Sequence, residues 1–255
     1  MSSAKTLKER LHAGENLTGC FVMLPSPTVV EMLGYAGFDF VILDQEHGPA
    51  GSETLENQIR AADCSGLETI VRVSAGTFGN IQRALDSGAG GIIVPHVIDK
   101  AHAERIVAAS HYPPLGRRGI ATTARAGRHG MVPVGDHLEK ASRRTLVMPQ
   151  IEDREALANV EAIGATPGID ALFIGPADLS MSLGHPGNAA HPDVVEAIAG
   201  ICSDLRKTPA KLAIFVRTAA DARKFRAESG IQMACFSSTA IFSTALTGLM
   251  QELAE

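Results

Sequence analysis

Eight short apolar runs, separated by helical patterns, constrain this chain more than any single motif. They are Thr18–Leu24, Phe38–Leu43, Glu68–Val73, Gly91–Pro95, Thr145–Ile151, Ile169–Ile174, Lys211–Val216 and Ile231–Phe236. All are rich in Val, Ile, Leu and Phe, as strands buried on both faces should be. Between them the spacing predicts helices over Thr28–Tyr35, Ser52–Cys64, Asn80–Ser87, Asp99–Ser110, Asp153–Ile163, Pro192–Leu205, Ala219–Glu228 and Thr239–Ala254. Hydroxyl or acidic residues open several of these segments, and glycine or proline follows them. Spread over 255 residues, eight strand–helix units take about 32 residues each, the size of a βα unit in a barrel of about 250 residues. The expected architecture is α/β, a single (β/α)8 TIM barrel over residues 1–255 with no second domain and no Pro- or Ser-rich linker.

The longest stretch without a strand or helix pattern is His111–Arg144. It carries Arg117, Arg118, Arg125, Arg128, Arg143 and Arg144. Long loops in compact domains are often functional, so this one is expected to shape the mouth of the barrel. A solvated basic loop is the plainer alternative.

Charge and cysteine usage remove several classes of function. The net charge is −5 with both signs interspersed, so there is no basic stripe of the kind a nucleic-acid binder presents. No apolar run approaches the roughly 18 residues of a membrane helix. The polar, helix-like N-terminus lacks the apolar centre of a secretory signal. Cys20, Cys64, Cys202 and Cys235 are far apart and include no CxxC pair. They read as reduced cysteines of a cytoplasmic protein rather than a zinc site. Walker A, GxGxxG and GxSxG patterns are absent, so ATP, dinucleotides and a serine elbow are not signalled.

Active sites in (β/α)8 barrels lie at the C-terminal ends of the strands. Ionisable residues gather there. The second run leads into Asp44-Gln45-Glu46-His47-Gly48-Pro49, the third reaches Arg72, and the fourth ends in Pro95-His96. The fifth leads into Gln150-Ile151-Glu152 and the sixth into Gly175-Pro176-Ala177-Asp178-Leu179-Ser180. Glu152 and Asp178 follow neighbouring strands, and two carboxylates there can share a hard divalent cation. Helix capping is the plainer role for this segment: Asp153 is expected to cap the next helix, leaving Glu152 free to point inward, while Asp178 also suits a helix first turn. The N–H groups of Ala177 and Asp178 at that helix start suit a carboxylate or phosphate. His47 is the candidate general base, with Asp44 or a carboxylate from elsewhere to orient it. Arg72 ends a buried run and needs an anion beside it. No lysine stands at a strand C-terminus, since Lys211 opens the seventh run. A Schiff-base mechanism is thereby disfavoured.

These segments, with Ala36-Gly37-Phe38-Asp39-Phe40, Val71-Arg72-Val73, Tyr112-Pro113-Pro114 and Arg118-Gly119, resemble the HpcH/HpaI family of metal-dependent pyruvate aldolases over roughly residues 5–255. The resemblance implies a phosphoenolpyruvate/pyruvate-type (β/α)8 barrel, assembled as a homo-oligomer (hexamer or trimer). It implies Glu152 and Asp178 as metal ligands, and Gln150 with the backbone of Ala177 and Asp178 as the keto-acid site. It further implies His47 as the catalytic base and Arg72 as the enolate stabiliser. Asp86 matches an aspartate that raises the basicity of the histidine. Because Asp86 lies near the foot of the fourth strand, it could reach a catalytic face only from a neighbouring subunit. Two positions depart from the family pattern: Gln45, where glycine is usual, and Ser237-Ser238, where relatives often carry Gly-Val-Asp.

The implied activity is reversible cleavage of a 4-hydroxy-2-oxo acid to pyruvate and an aldehyde. The cofactor would be a divalent ion: Mg²⁺ or Mn²⁺ first, Co²⁺ or Zn²⁺ also. Two alternatives remain at this stage. One is a related lyase or decarboxylase acting on another enolate-forming substrate, such as an acyl-CoA ester. The other is a non-catalytic barrel that binds a keto acid. Neither nucleic acid nor membrane is an expected partner.

Overall fold

The computed structural model describes residues 5–254. Each of the eight apolar runs overlaps a strand: β1 (Leu17–Val22), β2 (Phe40–Asp44), β3 (Glu68–Arg72), β4 (Gly91–Val94), β5 (Leu146–Ile151), β6 (Ala171–Ile174), β7 (Lys211–Phe215) and β8 (Met233–Ser237). All neighbouring pairs are parallel, and β8 returns to β1 to close the barrel. The helices are α1 (Leu7–His12), α2 (Pro27–Tyr35), α3 (Ser52–Ser65), α4 (Phe78–Asp86), α5 (Lys100–Ser110), α6 (Val134–Arg144), α7 (Val160–Gly164), α8 (Pro176–Ser182), α9 (Pro192–Leu205), α10 (Ala219–Ser229) and α11 (Ser238–Glu252). The chain is therefore a (β/α)8 barrel. Among the described residues no helix is long and apolar enough to cross a membrane.

Side chains alternate between the two faces of each strand, and both faces are apolar. One set, including Phe40, Ile42, Ile70, Ile93, Met148 and Phe173, fills the barrel interior. The other, including Val41, Leu43, Val71, Ile92, Val147 and Leu172, packs outward under the helices. Continuing the same alternation to the strand C-termini turns Asp44, Arg72, Gln150 and Glu152 inward. Strand register thus decides which polar groups face the axis. At the opposite end α1 closes the barrel, with Leu7 and Leu11 joining the interior cluster. Lys8 ties α1 to Thr145 O and Asp170, both at 3.0 Å, and Arg10 reaches Asp39 at 2.7 Å.

The arginine-bearing stretch departs from expectation in two ways. It contains a 3₁₀ turn at Arg125–Gly130 and the three-turn helix α6, so it is not one long loop. It also lies at the strand N-terminal end rather than at the mouth. Arg144 bonds Glu68 Oε2 at the start of β3 and the carbonyl of Gly88, both at 3.0 Å. The physical reason is connectivity. A segment that leads into a strand must finish where the strand begins.

His111, just after α5, is buried at this lower end, and its Nε2 has no hydrogen-bond partner. Burial, helped by the charges of Lys8 and Arg118 against the opposing pull of Asp170, pushes its pKa down from 6.5 to about 4. The unfolded chain therefore takes up a proton between these values while the folded one does not. Stability is full above pH 6.5 and falls as pH drops toward 4, by roughly 3 kcal/mol from this group. Urea denaturation at pH 7 and pH 4.5 should show that loss, and a flatter pH dependence in His111→Gln.

Candidate active site

Asp44 and Arg72 end adjacent strands and are paired in register. Arg72 donates from Nε to Asp44 Oδ1 at 3.0 Å and from Nη2 to Oδ2 at 2.6 Å. Its Nη1 lies 3.3 Å from Glu46 Oε2, and its guanidinium lies over the Phe21 ring, 5.0 Å from the centroid. The anion that a buried arginine requires is therefore supplied twice. Asp44 also accepts from the backbone N–H groups of Glu46 and His47. Burial pushes the Asp44 carboxyl up, but Arg72 and these two N–H groups outweigh it and leave it below the ordinary value.

Asp44 thus serves Arg72 first. Its oxygens hold Arg72 and the turn after β2, and they reach the main chain of His47, not its imidazole. The ring of His47 is exposed. Among the described residues Glu46 is the one carboxylate within 4 Å of it, at 3.8 Å. Asp86 is not brought to the ring either. It closes α4 and pairs with Arg118 at 2.6 Å, at the strand N-terminal side.

On the opposite wall Glu152 is buried, with 2% of its surface exposed. Gln150 donates to its Oε2, and the backbone N–H of His96 donates to its Oε1 at 2.9 Å. Burial raises the Glu152 pKa, and the nearby charge of Asp178 adds to the rise. The His96 N–H and imidazole and the Gln150 amide oppose it without cancelling it. Gln150 Oε1 is buried without a partner. Gly175, at the end of β6, allows this close approach. A Cβ there would lie 2.9 Å from both Gln150 Nε2 and Glu152 Oε2. Pro176 then opens α8, and Asp178 stands half-buried in its first turn. The first N–H groups of a helix have no intrahelical acceptor, which leaves those of Ala177 and Asp178 for other partners.

Glu46 and His96 also stand in the site. Glu46 touches Arg72 and lies near His47. His96 has a left-handed backbone with φ of 56°. Its Nδ1 is 3.1 Å from Asp153 Oδ2 and 3.4 Å from Glu152 Oε1, and its Nε2 is 3.8 Å from Glu46 Oε1. Asp153 therefore faces His96, and it makes no side-chain capping bond to the following 3₁₀ turn. The signal available for both residues was positional, since each lies within two residues of a strand C-terminus.

The site thus has a basic edge at Arg72 and His47, and a carboxylate pair at Glu152 and Asp178. A carboxylate raised by burial and further by a second carboxylate, beside an unpartnered amide oxygen, fits a hard divalent cation with oxygen ligands. Among the described residues no lysine comes from the strand ends at this rim, and Lys211 opens β7 at the far side.

Comparisons with known proteins follow the same line. The HpcH/HpaI aldolase/citrate lyase family matches residues 17–243. A 5-keto-4-deoxy-D-glucarate aldolase of Shigella dysenteriae is 37% identical over 238 residues, covering 93% of this chain and 92% of that protein. An HpcH/HpaI aldolase/citrate lyase family protein of Burkholderia cenocepacia J2315 superposes with a TM-score of 0.92 at 35% identity, over 98% of this chain and 99% of that one. The citrate synthase SbnG superposes with a TM-score of 0.86 at 32% identity, over 98% and 99% of the two chains.

Proposed function

The chain belongs to the HpcH/HpaI aldolase/citrate lyase family and is a carbon–carbon lyase, and from that premise we propose that it reversibly cleaves a 4-hydroxy-2-oxo acid to pyruvate and an aldehyde. The observation that carries this reading is the buried Glu152 carboxylate, raised above its ordinary pKa by burial and by Asp178. Such a pair suits a cation, and an all-oxygen set suits Mg²⁺ or Mn²⁺, with Co²⁺ or Zn²⁺ as alternatives. Glu152 and Asp178 hold that ion. When bound, it supplies Lewis-acid stabilisation of the negative charge that develops on the keto acid.

The protein's own groups do the rest. Gln150 and the N–H groups of Ala177 and Asp178 bind and orient the keto acid. Asp44 holds Arg72 by two bonds, and Nη1 lies 3.3 Å from Glu46 Oε2. Arg72 thereby presents a fixed positive charge toward the developing oxyanion, with no reorganisation during the reaction. The His47 imidazole takes the proton of the substrate's 4-hydroxyl as the carbon–carbon bond breaks. In the synthetic direction a base removes a methyl proton of pyruvate. Asp86, held by Arg118 at the strand N-terminal side, acts on the His47 of a neighbouring subunit. A homo-oligomer is supported by α11, where Ile241, Leu246, Leu249 and Met250 are exposed and Ser238 is the one buried residue. An apolar helix surface of this kind marks an interface.

The relative from Shigella suggests the first compound to try. Numbered from its other carboxylate, 5-keto-4-deoxy-D-glucarate is itself a 4-hydroxy-2-oxo acid. The likeness to a citrate synthase favours one second reading, in which the same site forms a carbon–carbon bond from another enolate donor. A panel of 4-hydroxy-2-oxo acids, assayed for pyruvate with Mg²⁺, Mn²⁺ or EDTA, tests the proposal. Metal-dependent release is expected, with His47→Ala slower by about 10²–10⁴-fold. No pyruvate from any member with any metal would overturn it in favour of the second reading.

A further inference from the structure

Beyond α8 the chain runs through Gly184-His185-Pro186-Gly187-Asn188-Ala189-Ala190-His191 and enters α9 at Pro192-Asp193. No residue of this loop has a part in the proposed cleavage. Two histidines and an aspartate meet there. One oxygen of Asp193, Oδ2, lies 2.8 Å from His185 Nε2 and 3.7 Å from His191 Nδ1. The two imidazoles stack, with centroids 3.4 Å apart and planes 12° from parallel. Ligand-capable atoms of the three residues all lie within 4.8 Å of one another, and no other three His, Cys, Asp or Glu side chains among the described residues are gathered in this way.

The backbone holds these side chains in place. The His185 N–H donates to Ser180 O at 2.8 Å, the Asn188 N–H to His185 O at 3.0 Å, and the His191 N–H to Asn188 O at 3.0 Å. Gly187, with φ of 71°, supplies the left-handed position that the first of these turns requires. A proline follows each histidine, and a residue before proline has little backbone freedom. Arg154 fixes the other end of the loop, its N–H on Ser182 Oγ at 2.8 Å and its Nη2 on Leu183 O at 3.0 Å. An ion bound here therefore has little ordering entropy to offset.

Zn²⁺ takes imidazole nitrogen and carboxylate oxygen at about 2.0–2.2 Å, and a tetrahedral shell of that size sets ligand atoms about 3.4 Å apart. The two separations from Asp193 bracket that value. We propose that His185, His191 and Asp193 form a site for Zn²⁺, with water in the fourth position, that fastens the loop between α8 and α9. Imidazole suits Zn²⁺, Co²⁺ and Ni²⁺, whereas Mg²⁺ and Mn²⁺ prefer oxygen. The site thus shares neither residues nor preferred ion with the carboxylate pair of Glu152 and Asp178, and it does not rest on that pair. The competing arrangement is a plain hydrogen bond between His185 and Asp193, with the Nδ1 lone pair of His191 occupied as the cap of α9, accepting from the Asp193 N–H at 3.2 Å.

Calorimetric titration with Zn²⁺ separates these arrangements. The parent protein carries Glu152→Gln, which removes a carboxylate from the other pair. It is compared with the same protein bearing His185→Gln, His191→Asn or Asp193→Asn. All three positions lie outside the core, and asparagine at 191 keeps a helix cap, so folded protein is expected throughout. The expected result is one equivalent of Zn²⁺ in the parent, undisturbed by excess Mg²⁺, with affinity at least tenfold lower in each variant. Zn²⁺ should also raise the thermal midpoint of the parent and leave that of the variants unchanged. A parent that binds no Zn²⁺ would overturn the proposal. So would a loss of less than tenfold in His185→Gln and Asp193→Asn, which would leave the three residues as a hydrogen-bonded cap only.

Discussion

Glu152→Gln is expected to lower kcat/KM for aldol cleavage by at least about a thousandfold, or ~4 kcal/mol of transition-state stabilisation, while making the metal-free protein more stable. Glutamine keeps the shape of the side chain and removes the charge. In the metal-free fold that charge is unfavourable, because burial and Asp178 together outweigh the His96 and Gln150 contacts. The sign follows from linkage. A carboxyl whose folded pKa is raised binds its proton more tightly in the fold, so the fold loses stability as pH rises from the unfolded value through the folded one. The gain from Glu152→Gln should therefore be present at pH 7 in EDTA. It should vanish in acid, where both states carry the proton. Adding Mn²⁺ should reverse the order, since only the wild type gains stability from a ligand bound to its native state. Thermal denaturation with EDTA and with Mn²⁺ reads the stability half, and steady-state kinetics the other.

The second large effect is at Arg72. Arg72→Leu should abolish activity and cost about 3–5 kcal/mol of folding stability. The activity is lost because the fixed positive charge that faces the developing oxyanion is removed. The stability is lost because Asp44, with 2% of its surface exposed, is left charged and without its bidentate partner. The double variant Arg72→Leu/Asp44→Asn removes the stranded charge and should recover most of the stability and none of the activity. Arg72→Lys should fall between, because a lysine keeps the charge without the two-pronged geometry. Urea denaturation of the four proteins, set beside kcat/KM, separates the structural part of the pair from the catalytic part. Equal stability of Arg72→Leu and wild type would mean that Asp44 has another partner in solution.

The eight strands were legible because parallel strands covered by helices on one face and a packed interior on the other must be apolar throughout. The end of each strand that bears chemistry was legible too, since polar residues can leave the core there. Pairings across the site were less accessible. Asp44 looked like a partner for His47, its neighbour in sequence, whereas in-register pairing of β2 with β3 sets it against Arg72. Opposite charges that end successive apolar runs are the signal that points to this pair. Helix α6 was missed because His137 is its one buried residue, so its charged surface read as loop. His96 carried no local mark, since a left-handed turn is usually signalled by glycine or asparagine. Asp153 has the position of a helix cap, and only the fold turns it toward His96.

On the proposed mechanism the carboxylate pair supports a metal-dependent pyruvate enolate. Proton NMR of pyruvate in deuterated buffer measures this without any choice of aldehyde. The enzyme is supplied with Mg²⁺ or Mn²⁺, with EDTA, and as Glu152→Gln. The predicted result is exchange of the methyl protons for deuterium that requires the metal and stops in EDTA and in the variant. A methyl signal that stays undiminished with every metal, or exchange that continues unchanged in EDTA, would contradict it.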